Sequence, residues 1–292
     1  MPVTENRLNG TQKVNSDWQA LPLPQDITKK GIYTGTAGFE HPAWIGRFYP
    51  QDMAIAGKGW AHRSYKQFLY YQRYFPLVEI TSTFEAEPRL QMFMELAKRS
   101  WDRTTFSVQV HQKMSHRRTW DRQEGRKLMQ QHVQAVSPLA ETGKFYSFII
   151  SLAEENDRSL AKLDYLLAIA EVAVRKRMDV HIEFKHKSWH LEHVLKRMKD
   201  NGIGICNTDL PASATAFPLK AYATSSKGYI RYSGKEGNDY LYTVDEIISR
   251  VEGQQLLLRK TDSVAIAYTN FGNGNAVVNA IENMIQLNEI LP

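Results

Sequence analysis

A single cysteine in 292 residues, Cys206, leaves no pair for an internal disulfide. Its setting, Gly-Ile-Gly-Ile-Cys, is apolar and reads as a buried strand thiol more than a nucleophile, so redox chemistry is not expected. No apolar run approaches the roughly 18 residues of a membrane span, and residues 1–10 lack the apolar centre of a secretory signal. The expected location is therefore the cytoplasm, with no membrane partner. There is no Gly-x-Ser-x-Gly elbow, no Walker-type loop and no dinucleotide fingerprint after the first strand, which removes support for a covalent triad and for a nucleotide cofactor. His-Glu-x-x-His and Cys-x-x-Cys are also absent. His111, His116, Glu183, His186 and Asp209 are available as ligands, but their spacing is not diagnostic and a divalent metal is not favoured.

What is present is an ordinary globular composition, 42% hydrophobic and 23% charged, with a formal net charge of +6. That excess favours anionic partners, either a small phosphorylated molecule or nucleic acid, through long-range attraction. Residues 1–30 are polar, carry Pro22 and Pro24 and show no sustained apolar period, so they read as an extension, with one domain over 31–292. Within that domain short β-type runs alternate with helical segments at 32–36, 77–81, 105–111, 145–151, 179–185, 202–207, 228–233 and 263–270. Eight runs of this kind predict an α/β chain folded as a TIM-type (β/α)8 barrel. Ser64 is placed to cap a helix carrying Tyr65, Phe68, Leu69, Gln72 and Phe75. A further helix over 158–177 sets Leu160, Leu163, Leu167, Ala170 and Val174 on one side. Pro211 and Pro218 lie between the sixth and seventh runs, which predicts an irregular sixth crossover and leaves an open sheet as an alternative.

Alternate side chains of a strand face opposite ways, and this parity divides each run into a helix face and a barrel face. In the third run Phe106, Val108 and Val110 suit the helices, leaving Ser107, Gln109 and His111 inward. In the fifth, Val180, Ile182 and Phe184 leave His181, Glu183 and Lys185 inward. The second run sets Glu79, Thr81 and Thr83 together, and the seventh does the same for Tyr229, Arg231 and Ser233. Buried charges of this number are costly unless they neutralise one another or meet a ligand. The bland reading is a satisfied network that holds the strands in register; the functional one is a site at the carboxyl ends of the strands. Asn270 ends the eighth run, and the loop Gly272-Asn273-Gly274-Asn275 opens the last helix, a common place for phosphate in such barrels, although Asn275 as an ordinary cap explains it equally well.

Ordered blocks along the chain resemble one family. Gly35-Thr36-Ala37-Gly38-Phe39 runs on through Pro42, Trp44, Gly46 and Phe48-Tyr49-Pro50. Then come Tyr70-Tyr71 with Arg73, Val78-Glu79-Ile80 with Ser82-Thr83-Phe84, and the stretch 106–116. Glu183-Phe184, His186 and Ser188-Trp189 follow, then Tyr229-Ile230-Arg231 with Gly234 and Tyr240, and lastly Asn270 and Asn279-Ala280. Together they are similar to the domain of unknown function 72 family, also called YecE-like. The resemblance implies a TIM-type barrel with a cleft at the carboxyl ends of its strands and no established activity. The chain departs from the usual pattern at Thr81, Gln109, Lys185 and Ser233, and its fourth run lacks the usual Gln-x-Pro-Pro ending, which marks a divergent branch.

The functional expectation is acid/base chemistry on an anionic substrate, as in a hydrolase, lyase or isomerase, with Glu79, Glu183 and Lys185 as catalytic candidates. Thr81, Thr83, Gln109, His111, His116, Trp189, Asp209, Arg231, Tyr240 and Asn270 are candidates for holding the substrate. Arg231 and Lys185 would grip its charge, and Trp189 and Tyr240 would wall it. The rival is a nucleic-acid-binding module without catalysis, built on Lys113, Arg117, Arg118, Arg122, Arg126 and Lys127, the densest basic segment.

Overall fold

The computed structural model of the chain describes residues 27–54, 60–116, 120–211 and 213–290. Its strands are β1 (Ile32–Ala37), β2 (Leu77–Ile80), β3 (Thr105–Gln109), β4 (Phe145–Ser151), β5 (Val180–Glu183), β6 (Gly204–Asp209), β7 (Lys227–Tyr232) and β8 (Ser263–Tyr268). They pair in chain order, all parallel, and β8 returns to β1, so the open-sheet alternative gives way to a closed barrel. Around it lie α1 (Trp60–Tyr71), α2 (Leu90–Arg99), α3 (Arg122–Glu141), α4 (Leu160–Val174), α5 (Glu192–Asp200), α6 (Val244–Leu258) and α7 (Asn275–Ile290). Among the described residues no helix is long and apolar enough to cross a membrane.

Strand parity explains the two-layer core. Val78, Ile80, Phe106, Val108, Phe148, Ile150, Val180 and Ile182 are all buried against the helices. A separate cluster fills the barrel, formed by Leu77, Tyr146, Ile149, Cys206, Tyr229, Ala265 and Ala267 with Tyr33 against it. Tyr146 belongs there because of a bulge: Phe106 pairs with Phe145 while Ser107 pairs with Ser147, leaving Tyr146 as the extra residue. Its ring lies near those of Tyr33 and Tyr229, and its hydroxyl donates to the Gly228 carbonyl at 2.8 Å.

The connection from β6 to β7 has no helix among its described residues, as its prolines predict. Backbone contacts replace the helix: the Phe217 amide donates to the Lys185 carbonyl, and the Lys187 amide to that of Thr215. The Asn207 side chain then clamps Tyr222, accepting from its amide and donating to its carbonyl.

Two local expectations are corrected. α1 begins at Trp60, so Ser64 lies inside the helix, where its hydroxyl donates to Glu40. Leu160 is 62% exposed, because it is the first residue of α4 after the Ser159 cap, and Leu166 and Ile169 fill the buried face in its place. The expected boundary at Gly31 is preceded by an ordered turn, Ile27–Lys30, whose Thr28 carbonyl accepts from the Gly31 amide; the rest of the expected extension, 1–26, lies outside the described residues.

Candidate functional site

The last turns of five strands carry one polar cluster. Glu79 is the penultimate residue of β2, Ser151 the last of β4, Glu183 the last of β5, and Thr208 and Arg231 the penultimate residues of β6 and β7. Register brings them level: Ser151 pairs with Glu183, and Thr208 with Arg231. The strands between β7 and β2 present small residues at this height, Ala267 beside Arg231 and Ala37 beside Glu79, so a long side chain from β7 can cross the interior.

Arg231 does cross it. One terminal nitrogen donates to Glu79 at 2.9 Å and the other to Glu183 at 2.7 Å. The Tyr229 hydroxyl donates to the second oxygen of Glu79 at 2.8 Å. Glu183 also accepts from the hydroxyls of Thr208, at 2.8 Å, and Ser151. Glu79 is fully buried and Glu183 and Arg231 nearly so. Three donors nevertheless remain. Arg231 Nε is buried without a hydrogen-bond partner among the described residues. The half-buried Lys185 ammonium and the Gln109 amide likewise have none there, although Lys185 is close enough to act on the charge of Glu183.

The two carboxyl groups are driven apart. Burial raises the pKa of Glu79, and the opposing pull of Arg231 and Tyr229 does not overcome it, the negative charge of Glu183 adding to the rise. Burial acts on Glu183 too, but there the charges of Arg231 and Lys185 and the hydroxyls of Ser151 and Thr208 prevail and bring it down to about 2. Cys206 sits below this layer, fully buried, its thiol pushed well up by burial first and by Glu183 second, in keeping with an unreactive strand residue.

Other residues singled out from the sequence are engaged elsewhere. β2 ends at Ile80, and Thr83 lies in the following turn, its hydroxyl donating to the Gln109 carbonyl at 2.6 Å. β3 ends at Gln109, and His111 caps the next turn, its Nδ1 accepting from the Lys113 amide. Trp189 is no pocket wall: it is fully buried, stacked on Phe184, with its indole N–H on the Asn156 carbonyl. Asp209, one residue past Thr208, faces outward and forms an ion pair with Arg250 of α6 at 2.6 Å. Tyr240 donates to Glu246, and Asn270 donates to the Tyr240 carbonyl and to Asn279. His116 is exposed, edge-on to Phe84 and within the field of Lys185. Thr81 stands at the barrel rim beside Gly38.

The Gly272–Asn275 loop is occupied by its own chain. The amides of Gly272 and Gly274 donate to the carbonyls of Asn238 and Phe271, and Arg47 holds the Asn273 carbonyl. Asn275 is the first residue of α7, not its cap, and its side chain donates to the Asp239 carbonyl. The Asp239 carboxylate packs against Gly272, which opposes a second anion there. On the rival surface, Lys113, Arg122 and Arg126 are paired with Glu87, Asp164 and Glu171, while Arg117 and Arg118 lie outside the described residues. No group of three potential metal-binding side chains occurs among the described residues.

Ser151, Thr208 and Tyr229 complete the cluster but were not among the expected site residues. Parity alone would find Thr208, which shares its face with Cys206, once β6 is extended beyond Asn207.

Comparison with known proteins agrees with this architecture. A crystal structure of a DUF72 family protein from Thermotoga maritima MSB8 superposes with a TM-score of 0.76 at 23% identity, covering 88% of this chain and 99% of that one. Another, from Enterococcus faecalis V583, gives 0.72 at 19% identity, covering 88% and 95%. No curated protein matches the chain. The profile described as protein of unknown function DUF72 matches residues 33–291, nearly the whole barrel, and the chain belongs to that family.

Proposed function

We propose that the barrel mouth binds a small anionic substrate and performs acid/base chemistry on it. The observation that carries this reading is a single guanidinium shared by two carboxyl groups driven in opposite directions, with three hydrogen-bond donors to spare. Of these only Arg231 Nε is a fully buried unmade bond, a loss of about 1–3 kcal/mol, whereas Lys185 and Gln109 keep access to the open end of the barrel. Lys185 and Gln109, backed by the buried charge of Arg231, make a receptor for a phosphate or carboxylate.

The two carboxyl groups then have different roles. Glu79, whose pKa burial raises above the ordinary carboxylate value, is the proton carrier. Glu183, at about 2, is too weak a base for that task, and its hydrogen bonds suit it to fix Arg231 in place. The test is a thermal-shift screen with phosphorylated and carboxylated metabolites, followed by turnover of whichever binds. A ligand at about a hundred times its Kd stabilises the fold by about 2.7 kcal/mol. Glu79→Gln is expected to bind that ligand with turnover abolished; full turnover by this variant contradicts the assignment.

A further inference from the structure

A cavity of about 680 Å³ lies between α1, α2 and the loops that follow β1 and β2, and none of Glu79, Gln109, Glu183, Lys185 or Arg231 lines it. That volume falls within the range of about 300–1,000 Å³ that small-molecule sites occupy. Its floor is apolar, formed by Phe39, Phe68, Ile80 and Leu96, a surface suited to a flat ring. The charged groups of its wall are already engaged. The Arg99 guanidinium lies 4.2 Å over the Tyr65 ring and pairs with Glu95 at 2.5 Å, and Glu40 accepts from the Ser64 hydroxyl. A charged guest would give up its hydration there without gaining a counter-charge, whereas an uncharged ring loses little.

One polar spot interrupts this lining. Gly38 adopts a left-handed φ of 75°, which favours glycine, and a Cβ placed on it would lie 2.9 Å from His41 Nε2 and 3.4 Å from the Thr81 hydroxyl oxygen. All three residues line the cavity, so two hydrogen-bonding side chains from different loops flank one bare point of its wall. The His41 ring is held in place, stacked on Phe271 at 4.7 Å and lying 4.6 Å from the Trp44 ring. Its Nε2 donates to the Ala37 carbonyl at 3.0 Å, and burial lowers its pKa, so the neutral ring presents Nδ1 as an acceptor. Neither Nδ1 nor the Thr81 hydroxyl has a partner among the described residues. An acceptor beside a hydroxyl matches a guest hydroxyl, which donates to the first and accepts from the second.

We propose that the cavity between α1 and α2 is a second binding site, separate from the barrel mouth, for an uncharged phenol whose ring packs on Phe68 and Leu96 and whose hydroxyl sits between His41 and Thr81. The site uses no residue of the Arg231 centre and is independent of the function proposed for it.

Ligand-observed NMR titration of the full chain at pH 7 with para-ethylphenol and its methyl ether, para-ethylanisole, tests it. The ether keeps the ring but cannot donate to His41, and the phenol is expected to bind at least about threefold tighter. Thr81→Val removes the hydroxyl partner and is expected to weaken the phenol by about threefold or more. Leu96→Trp fills the cavity and Ser82→Trp covers its outer edge, and each is expected to weaken the phenol at least about tenfold. Ser82 is exposed, so its variant reports even where Leu96→Trp fails to fold. Lys185→Met, at the mouth, is expected to leave the Kd of the phenol within about twofold, and excess para-ethylbenzoate is expected not to displace it. An ether that binds as tightly as the phenol, a Thr81→Val protein with unchanged affinity, or binding that survives the tryptophan variants overturns the proposal. Loss of the phenol with Lys185→Met, or its displacement by the benzoate, places it at the mouth and also overturns the proposal. Absence of any binding by the phenol does the same, and leaves the anion site of the mouth to its own thermal-shift test.

Discussion

Replacing Arg231 with methionine removes the one positive charge that touches both buried carboxyl groups, at 2.9 Å from Glu79 and 2.7 Å from Glu183. Breaking a buried ion pair from one side costs about 3–5 kcal/mol, because the remaining charge is left in a low-dielectric interior. For a domain of this size that corresponds to a fall of about 6–20 °C in Tm near neutral pH. The pH dependence carries the sharper test. With Arg231 present, Glu183 is held near 2, below its ordinary value, so its contribution is complete above about pH 4.5 and is lost as pH falls toward 2. Without Arg231, burial dominates at both carboxyl groups and raises them, so the folded state binds more protons than the unfolded one. The deficit of the variant therefore grows as pH rises above about 4.5 and shrinks on acidification. Urea denaturation of both proteins at pH 5 and pH 8 reads the difference directly. A deficit under about 1 kcal/mol that is equal at the two pH values would falsify the picture of a closed, desolvated cluster.

His132 and His181 are each brought down to about 4, burial being the main cause, and are neutral in the fold. Each opposes protonation as pH falls from about 6.5 to 4, so stability declines over that window by up to about 3 kcal/mol per residue, measurable as a falling urea midpoint. Their tautomers are fixed by carbonyl partners: the proton of His132 is on Nδ1, facing Leu128, and that of His181 on Nε2, facing Lys227, which nitrogen-detected NMR checks. Gly35→Ala places a methyl carbon 1.9 Å from the Leu77 carbonyl, where the Tyr71 hydroxyl already bridges β1 and β2. It is expected to lose at least about 3 kcal/mol of stability or to fail to fold, as judged by denaturation. Cys206 is expected to resist a disulfide reagent in the folded protein and to react once denatured.

Period-two parity made Glu79, Glu183 and Arg231 legible, because each lies within a regular strand where facing follows from counting. The same counting lost its footing wherever a strand stopped. Thr83 and His111 continue the inward series of β2 and β3 on paper, but the chain has already turned, and their side chains serve those turns. Ser151 was hidden by the bulge at Tyr146, which shifts β4 by one residue, a displacement that no local pattern records. Trp189 looked like a pocket wall because tryptophan suits that role, whereas its burial depends on Phe184 and Asn156, which only the fold brings together. The irregular sixth crossover was legible from its two prolines. The cavity between α1 and α2 was not, since it arises from the spacing of helices against the β1 and β2 loops.

Carbon-13 NMR of the glutamate carboxyl groups over a pH titration, assigned with Glu79→Gln and Glu183→Gln, tests the central claim most directly. One resonance, absent from Glu79→Gln, is expected to titrate above the ordinary glutamate value, and one, absent from Glu183→Gln, to remain ionised until pH approaches 2 or the protein unfolds. If both groups titrate together near their ordinary value, the guanidinium does not divide them, and the proposed acid/base centre is contradicted.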